Sequence, residues 1–505
     1  MNSRSDVLLV GNFGDHLGVA EVTSPRRAPA DSPRRDRGER VRRFESGDTT
    51  RLNSAHWSAA VENPINLDLQ TYLETLRTRC LFEAANNPIV EGVIGTYAND
   101  VSGEDGPLLR VQSDDAAWNS AAEEVWRLWW SRPTIDGKRS GADLLRLWVQ
   151  SLWKTGEFLA QKTTDPSAES TVRLRLKPVP SRRLSTPIEY SSDANVVLGV
   201  RLTVEGRPTH YYVAQPDRWG AYELTGTYQE IPAADLIHEF LAIEEDQVRG
   251  IPWLASSLQQ IADMRDYDAQ VLDAARQAAD MAVFWYTDHP DAAYIEVNES
   301  LSIERRTQST GPPGWKPQQL TPQQPSATYS DYRHERMAEI GRPRGMPLMM
   351  VRLDSRQHNY SSARFDAQIY HRGIKVVQNW ISGTPQSRGV LNDLLDAVLR
   401  EAELAGEIGP KPDAVRYCWV WPVPPHVDPQ KEALAEETRL RTGTLSYSDA
   451  LAAHGLDRDA VIDQRAKDAA DLTVAGLPPI GTTPNVPAPT AGGREDEEES
   501  DDADK

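Results

Sequence analysis

Two arginines and a histidine stand close together in a polar stretch in the second half of the chain, Val351-Arg352-Leu353-Asp354-Ser355-Arg356-Gln357-His358-Asn359. The stretch has no apolar period, which makes it a loop between two helical segments. Arg352, Arg356 and His358 are residue types that bind phosphate oxygens, and such contacts carry no base-sequence information. Asp354 sits among them and limits the grip. Arg333 and Arg336, about one helical turn apart, form a second basic candidate. Ordinary salt bridges to carboxylates suit the same arginines equally well.

Catalytic patterns are missing from the sequence. It contains no Walker-type phosphate loop, no dinucleotide glycine fingerprint, no Gly-x-Ser-x-Gly elbow and no His-Glu-x-x-His pair. The histidines are scattered; His238, His289, His334, His358 and His371 lack a helical partner at four-residue spacing. Asp331, His334 and Glu335 resemble a ligand set only superficially, since acidic and basic residues at such spacings are ordinary on a solvated helix face. Ser361 and Ser362 have no histidine and carboxylate beside them and read as a helix N-cap rather than nucleophiles. No cofactor and no metal is expected.

The elements around the basic loop can be read from periodicity. Apolar residues three or four apart (Leu258, Ile261, Met264, Val271, Leu272, Ala275, Met281) predict one long amphipathic helix over 258–282. Prolines 312, 313, 317, 322 and 325 then forbid helix interior. A second helix is predicted over Tyr329–Ile340, so a helix leads out, an excursion follows and a helix leads back. Upstream, helices are expected over 67–100, broken at Asn86-Asn87-Pro88, and around Trp118, Val125, Trp126, Trp129 and Trp130, then Leu144, Leu145, Trp148, Leu152 and Trp153. The tryptophan stripe reads as core packing rather than a base-stacking surface. Alternation predicts strands at 172–177 and 196–204, the second turning at Glu205-Gly206-Arg207-Pro208 into Tyr211-Tyr212-Val213. Downstream come helices from Phe365 to Ile381 and Leu391 to Leu404, a strand at Trp419 and Trp421, and a helix opened by Asp428-Pro429.

Gly250-Ile251-Pro252-Trp253-Leu254, the long helix, a Trp-Lys-Pro strand, Met346-Pro347-Leu348 and Asn359-Tyr360-Ser361-Ser362-Ala363-Arg364 succeed one another in an order that resembles the portal proteins of tailed phages, the lambda-type family in particular. Asn86-Asn87-Pro88, Gly156-Glu157-Phe158 and Asp428-Pro429-Gln430-Lys431-Glu432-Ala433 extend the resemblance over roughly residues 70 to 475. It implies a helix-rich α+β portal fold that assembles into a ring, usually twelve-fold, with a central channel for double-stranded DNA. The implied parts are a disordered basic arm (1–55), an α+β wing (56–249), a first stem helix (250–286), a clip (287–325), a second stem helix (326–347), a tunnel loop with a long helix (348–381), a return to the wing (382–427), crown helices (428–475) and a disordered acidic tail (476–505). Copies of Arg352, Arg356 and His358 would then form basic rings in the bore, and Arg333 with Arg336 a further one. The clip, with Arg305, Arg306, Trp315 and Lys316, would dock the terminase large subunit during packaging and the head-tail adaptor later. Major capsid and scaffold proteins are further implied partners, and the implied location is the capsid vertex of the virion, after assembly in the host cytoplasm. A nucleic-acid-processing enzyme with an unrecognised metal site and a scaffold protein with no channel are the alternatives.

Composition sets outer limits. The chain of 505 residues is long enough for two to four domains, with 39 % hydrophobic and 26 % charged residues. No apolar run approaches the roughly 18 residues of a membrane helix, and Val7 to Val10 is too short for a secretory signal. Cys80 and Cys418 are too few for a disulfide framework and read as thiols in a reducing compartment. A net charge of -20 disfavours general attraction to nucleic acid, which suits a wall that lets DNA slide. With no ATPase motif, DNA movement through such a protein must be driven by another.

Overall fold

The computed structural model describes residues 62–168, 170–221, 226–280, 284–286, 316–318, 328–356, 359–384, 387–422, 429–454, 456 and 458–477, with Ala55 and Ser58. The basic arm, the acidic tail, His289, Asp428, and most of the Pro-rich excursion lie outside them. The elements below belong to the unit that runs from Asn63 onward.

Helices α1 (Ile65–Asn86) and α2 (Pro88–Ser102) are separated where expected. Asn87 caps α2 by accepting from the amides of Ile89 and Val90, and Pro88 occupies a first-turn position that needs no amide donor. Strand β1 (Leu108–Gln112) leads to α3 (Ala116–Ser131) and α4 (Gly141–Thr155). Their tryptophans 118, 126, 129, 130, 148 and 153 are all buried, as the core reading of the stripe requires. Two of the indoles donate to backbone acceptors, Trp129 Nε1 to Leu174 O at 2.7 Å and Trp118 Nε1 to Gly409 O at 3.0 Å.

Seven strands come next, β2 (Phe158–Thr164), β3 (Leu174–Val179), β4 (Val196–Val197), β5 (Val200–Leu202), β6 (Pro208–Ala214), β7 (Tyr228–Pro232) and β8 (Leu236–Glu239). They make an antiparallel three-stranded sheet in the order β3-β2-β8 and a four-stranded meander β4-β5-β6-β7. In place of the single strand expected over 196–204 stands a tight hairpin. Leu198 and Gly199 both have positive φ, 51° and 86°, and turn the chain sharply, so Val196 pairs with Arg201. A second apolar cluster, including Leu159, Val179, Val200, Tyr211, Val213 and Ile231, fills the space beneath these sheets.

The long helix α5 (Leu258–Asp280) is followed by β9 (Phe284–Tyr286) and β10 (Lys316–Gln318), which pair antiparallel with Lys316 opposite Tyr286, and then by α6 (Tyr329–Gly341). Two sets of contacts hold this helix pair, one between the middle of α5 and the start of α6 and one between the segments just before α5 and just after α6. Distally, Tyr267 packs on Tyr329 and Tyr332 with ring centroids 5.9 and 4.4 Å away, and Asp268 accepts the Tyr329 hydroxyl at 2.9 Å. Proximally, the guanidinium of Arg344 lies 4.3 Å from the Trp253 ring centroid.

After the short α7 (Leu348–Arg352) come α8 (Tyr360–Ser382) and α9 (Val390–Leu404), whose buried residues complete the main core, including Tyr370, Ile374, Val377, Ile381, Leu391, Leu394, Leu395 and Val398. Asn359 caps α8 by accepting from the Ser362 amide at 2.9 Å, so the cap is Asn359 and not the serines, which lie in the first turn. Strand β11 (Arg416–Val420) returns to pair antiparallel with β1, Leu108 opposite Val420. The last helices are α10 (Pro429–Arg441), α11 (Tyr447–Ala453) and α12 (Arg458–Ala475). Among the described residues of this terminal trio only Ala450 is buried. The architecture is helix-rich α+β.

Candidate functional site

The polar stretch begins as helix, which corrects the expectation of a loop throughout: Arg352 is the last residue of α7. The helix stops at Leu353, which takes a left-handed conformation with φ 51° while the Asp354 amide donates back to Met349 O at 3.1 Å. Glycine usually occupies such a position, because a Cβ there costs about 1–2 kcal/mol. A leucine that is 76 % exposed gains nothing from burial to offset it.

Asp354 gathers both arginines. Arg356 binds it side-on, Nε to Oδ1 at 2.9 Å and Nη2 to Oδ2 at 2.8 Å, and its own amide adds a bond to Oδ1 at 3.1 Å. Arg352 Nη2 reaches Oδ2 at 3.0 Å. Hydrogen bonds from the Arg356 side chain and amide, reinforced by the charges of Arg356 and Arg352, hold the Asp354 carboxyl well below the usual carboxylate range. Two guanidinium cations thus share one carboxylate, and the turn keeps a single net positive charge. The arginines differ in access: the side chain of Arg352 is 21 % exposed, that of Arg356 85 %. Arg356 is the accessible member of the pair, and Arg352 braces the turn. His358 lies outside the described residues.

Arg333 and Arg336 do not join this cluster. Arg333 Nε lies 3.4 Å from Asp268 Oδ1 on α5, with the guanidinium near the Tyr329 ring, and Arg336 pairs with Glu339 at 2.8 Å beside Tyr332. Both are engaged within the helix pair. Of the docking candidates, Lys316 is exposed on β10, and Arg305, Arg306 and Trp315 lie outside the described residues. Asp331, His334 and Glu335 form no ligand set; among the described residues no group of three or more His, Cys, Asp or Glu side chains is placed to hold a metal ion. Nor is any described helix long and apolar enough to cross a membrane.

A buried ion cluster that residue spacing does not reveal stands beside the β3-β2-β8 sheet, just ahead of α5. Glu157 is fully buried and accepts from Arg249 (Nη2 to Oε1, 2.6 Å), Arg77 (Nη2 to Oε1, 2.8 Å), His238 Nε2 (3.0 Å) and the Gly250 amide (2.9 Å). Burial opposes its charge, but Arg249, Arg77 and His238 together more than compensate and keep the carboxyl well below its ordinary range. Burial and the nearby arginines push His238 down, so it donates as a neutral ring. Arg249 Nη1 also donates to Leu184 O and Leu198 O, both at 2.7 Å, pinning the tight β4-β5 turn. Close backbone contact between Gly156 and Gly250 completes the joint: a Cβ at Gly250 would lie 2.1 Å from Gly156 O. The run Gly156-Glu157-Phe158 and the adjacent Arg249-Gly250 are the visible signal in the sequence, but nothing in it names the partners.

Residues 50–378 match the family described as "Phage portal protein, lambda family". The chain belongs to that family. As a portal protein it serves DNA packaging as a structural channel component rather than an enzyme. It is 23 % identical over 482 residues to the "Probable portal protein" of Halomonas phage phiHAP-1, covering 89 % of this chain and 90 % of that one. Among solved structures, it is similar to a chain in the neck of a native GTA particle computed with C12 symmetry (TM-score 0.45, 14 % identity, 78 % of this chain and 91 % of that one). It is also similar to an HK97 family phage portal protein from Corynebacterium diphtheriae (TM-score 0.30, 11 % identity, 70 % and 96 %).

Proposed function

We propose that this portal protein closes into a ring, twelve-fold as is usual in its family, at the capsid vertex of a phage virion, after assembly in the host cytoplasm. In this reading the turn at 352–356 faces the bore and Arg356 makes transient, sequence-independent contacts with the phosphates of passing double-stranded DNA. The observation that carries it is the Arg352-Asp354-Arg356 cluster: a turn that presents one exposed guanidinium, halves its charge with a carboxylate and holds Leu353 outward in a strained conformation. A net single positive charge per copy favours contact without retention. Arg333 is assigned to holding α6 to α5, and Arg336 to a pair within α6, instead of forming a further ring.

The excursion 287–325 is the docking tip for the terminase large subunit and then the head-tail adaptor, with Arg305, Arg306, Trp315 and Lys316 as contacts. Its composition supports this, being Pro-rich and polar with too few apolar residues for a core of its own. Helices α10–α12 form the crown, and major capsid and scaffold proteins surround the ring. Electron micrographs of the purified chain test the central claim. Closed rings with a central hole are expected, and a monodisperse monomer across a wide concentration range refutes it.

A further inference from the structure

Helix α8 has two seams. The inner one, Tyr370, Ile374, Val377 and Ile381 at alternating spacings of four and three, is buried in the core. The outer one, Phe365, Ile369, Arg372, Val376 and Asn379, has the same spacing and is exposed throughout. Arg364, Arg372 and Lys375 along it are exposed as well, with no exposed carboxylate among them. A helix with a second apolar seam at coiled-coil spacing is built to receive a second helix.

A matching surface lies on α5. Its inner residues Ile261 and Met264 are buried, while its outward side carries the small residues Ala262 and Ala269 with Leu272, beside exposed Asp263, Asp266 and Asp273 and two exposed arginines, Arg265 paired with Glu83 and Arg276 paired with Asp273. One face offers large apolar side chains with basic flanks, the other small apolar side chains among carboxylates that outnumber the two arginines already paired there. Each helix has 23 residues. An α8–α8 contact would set basic against basic, so the complementary surface for α8 is α5 of another copy, and the ring reading makes that contact head-to-tail.

We propose that the outer seam of α8 docks on the outward side of α5 in the next copy of this chain, with Phe365, Ile369 and Val376 lying over Ala262, Ala269 and Leu272, and Arg372 and Lys375 facing Asp266 and Asp273. The proposal rests on the ring reading above and names the two surfaces that close it. A heterologous contact of this kind repeats around an axis until rotation closes it.

Charge reversal tests it. The variant Arg372→Glu with Lys375→Glu places acid against acid, and Asp266→Lys with Asp273→Lys places base against base. Each alone is expected to raise the concentration needed for assembly by more than about tenfold. An equimolar mixture is expected to restore rings, because each variant then meets its complement in the other. Rescue by mixing also shows that both variants are folded. Independently, Ile369→Cys with Ala269→Cys should give a ladder of covalent multimers on oxidation that neither single substitution gives. Undisturbed assembly of either reversed variant overturns the proposal, as does a failed mixture together with an absent ladder. A wild-type chain that never leaves the monomeric state refutes the ring reading itself.

Discussion

Arg249 lies side-on against Glu157, with Nη2 at 2.6 Å from Oε1 and Nε at 3.1 Å from Oε2, in a fully buried position beside the β3-β2-β8 sheet, just ahead of α5. The two residues stand 92 positions apart, and together with Arg77 and His238 they tie α1, β2, β8 and the entry to α5 at one point. Glu157→Gln leaves two arginines buried against a neutral amide and is expected to destabilise the fold by about 3–5 kcal/mol in chemical denaturation.

That same carboxylate sets a pH dependence. Its pKa is lower folded than unfolded, so its contribution is complete above the ordinary glutamate value of about 4.3 and is lost as pH falls through the folded one. The stability gap between wild type and Glu157→Gln should therefore narrow as pH drops below about 4.3. A gap that stays constant down to about pH 2 would show that Glu157 acts through packing instead of charge.

Leu353→Gly relieves a left-handed conformation at little cost in buried surface and should leave thermal stability unchanged or raise it by up to about 1 kcal/mol. Leu353→Val, stiffer at its Cβ, should lower it. If the leucine serves an encounter, the glycine variant will be stable yet defective in packaging, which separate stability and packaging assays would read.

Arg356→Ala should leave ring assembly intact and weaken DNA retention, with an effect that shrinks as salt rises. Asp354→Asn removes the tempering carboxylate and should shift retention the opposite way. Arg352→Ala with Arg356→Ala should weaken retention further. Unchanged packaging by all three at low salt takes this turn out of the bore, and failure of the double variant to assemble assigns the arginines to subunit contacts.

Replacing 287–325 with a short Gly-Ser linker should leave the helical signal of α5 and α6 in place, since Tyr267, Asp268, Tyr329 and Arg333 join them without it. Binding of the terminase motor and of the adaptor should both vanish in pull-down measurements. Retention of both refutes the docking assignment.

Much of this architecture is legible in the sequence because helix periodicity and caps are local. The buried tryptophans of α3 and α4, the Asn87-Pro88 break and the α5 and α6 boundaries all depend on neighbours within a few residues. The turn at Leu198-Gly199 is hidden because a two-residue turn preserves the alternation of Val196, Val200 and Leu202, so the period continues across it. Asn359 is hard to tell from Ser361 and Ser362 as the α8 cap, because Asn and Ser cap equally well and these stand within one turn of each other. The pairing of Arg352 and Arg356 with Asp354 is only half visible: proximity suggests tempering, but the exposure difference between the arginines depends on where α7 ends. The run Gly156-Glu157-Phe158 is visible, but which residues Glu157 pairs with is not, since long-range pairing leaves no periodic trace.

The contacts that hold α5 to α6 bear on how such a chain can change over generations. With the two helices held to each other independently of what connects them, lengthening the connection costs only loop-closure entropy, about 0.6 kcal/mol for each doubling. Insertions, deletions and wholesale exchange of the 287–325 segment are therefore tolerated by the body that carries it. If this segment is the docking tip proposed above, a recombining phage population can exchange it for one matched to a different motor without altering a residue of α5 or α6.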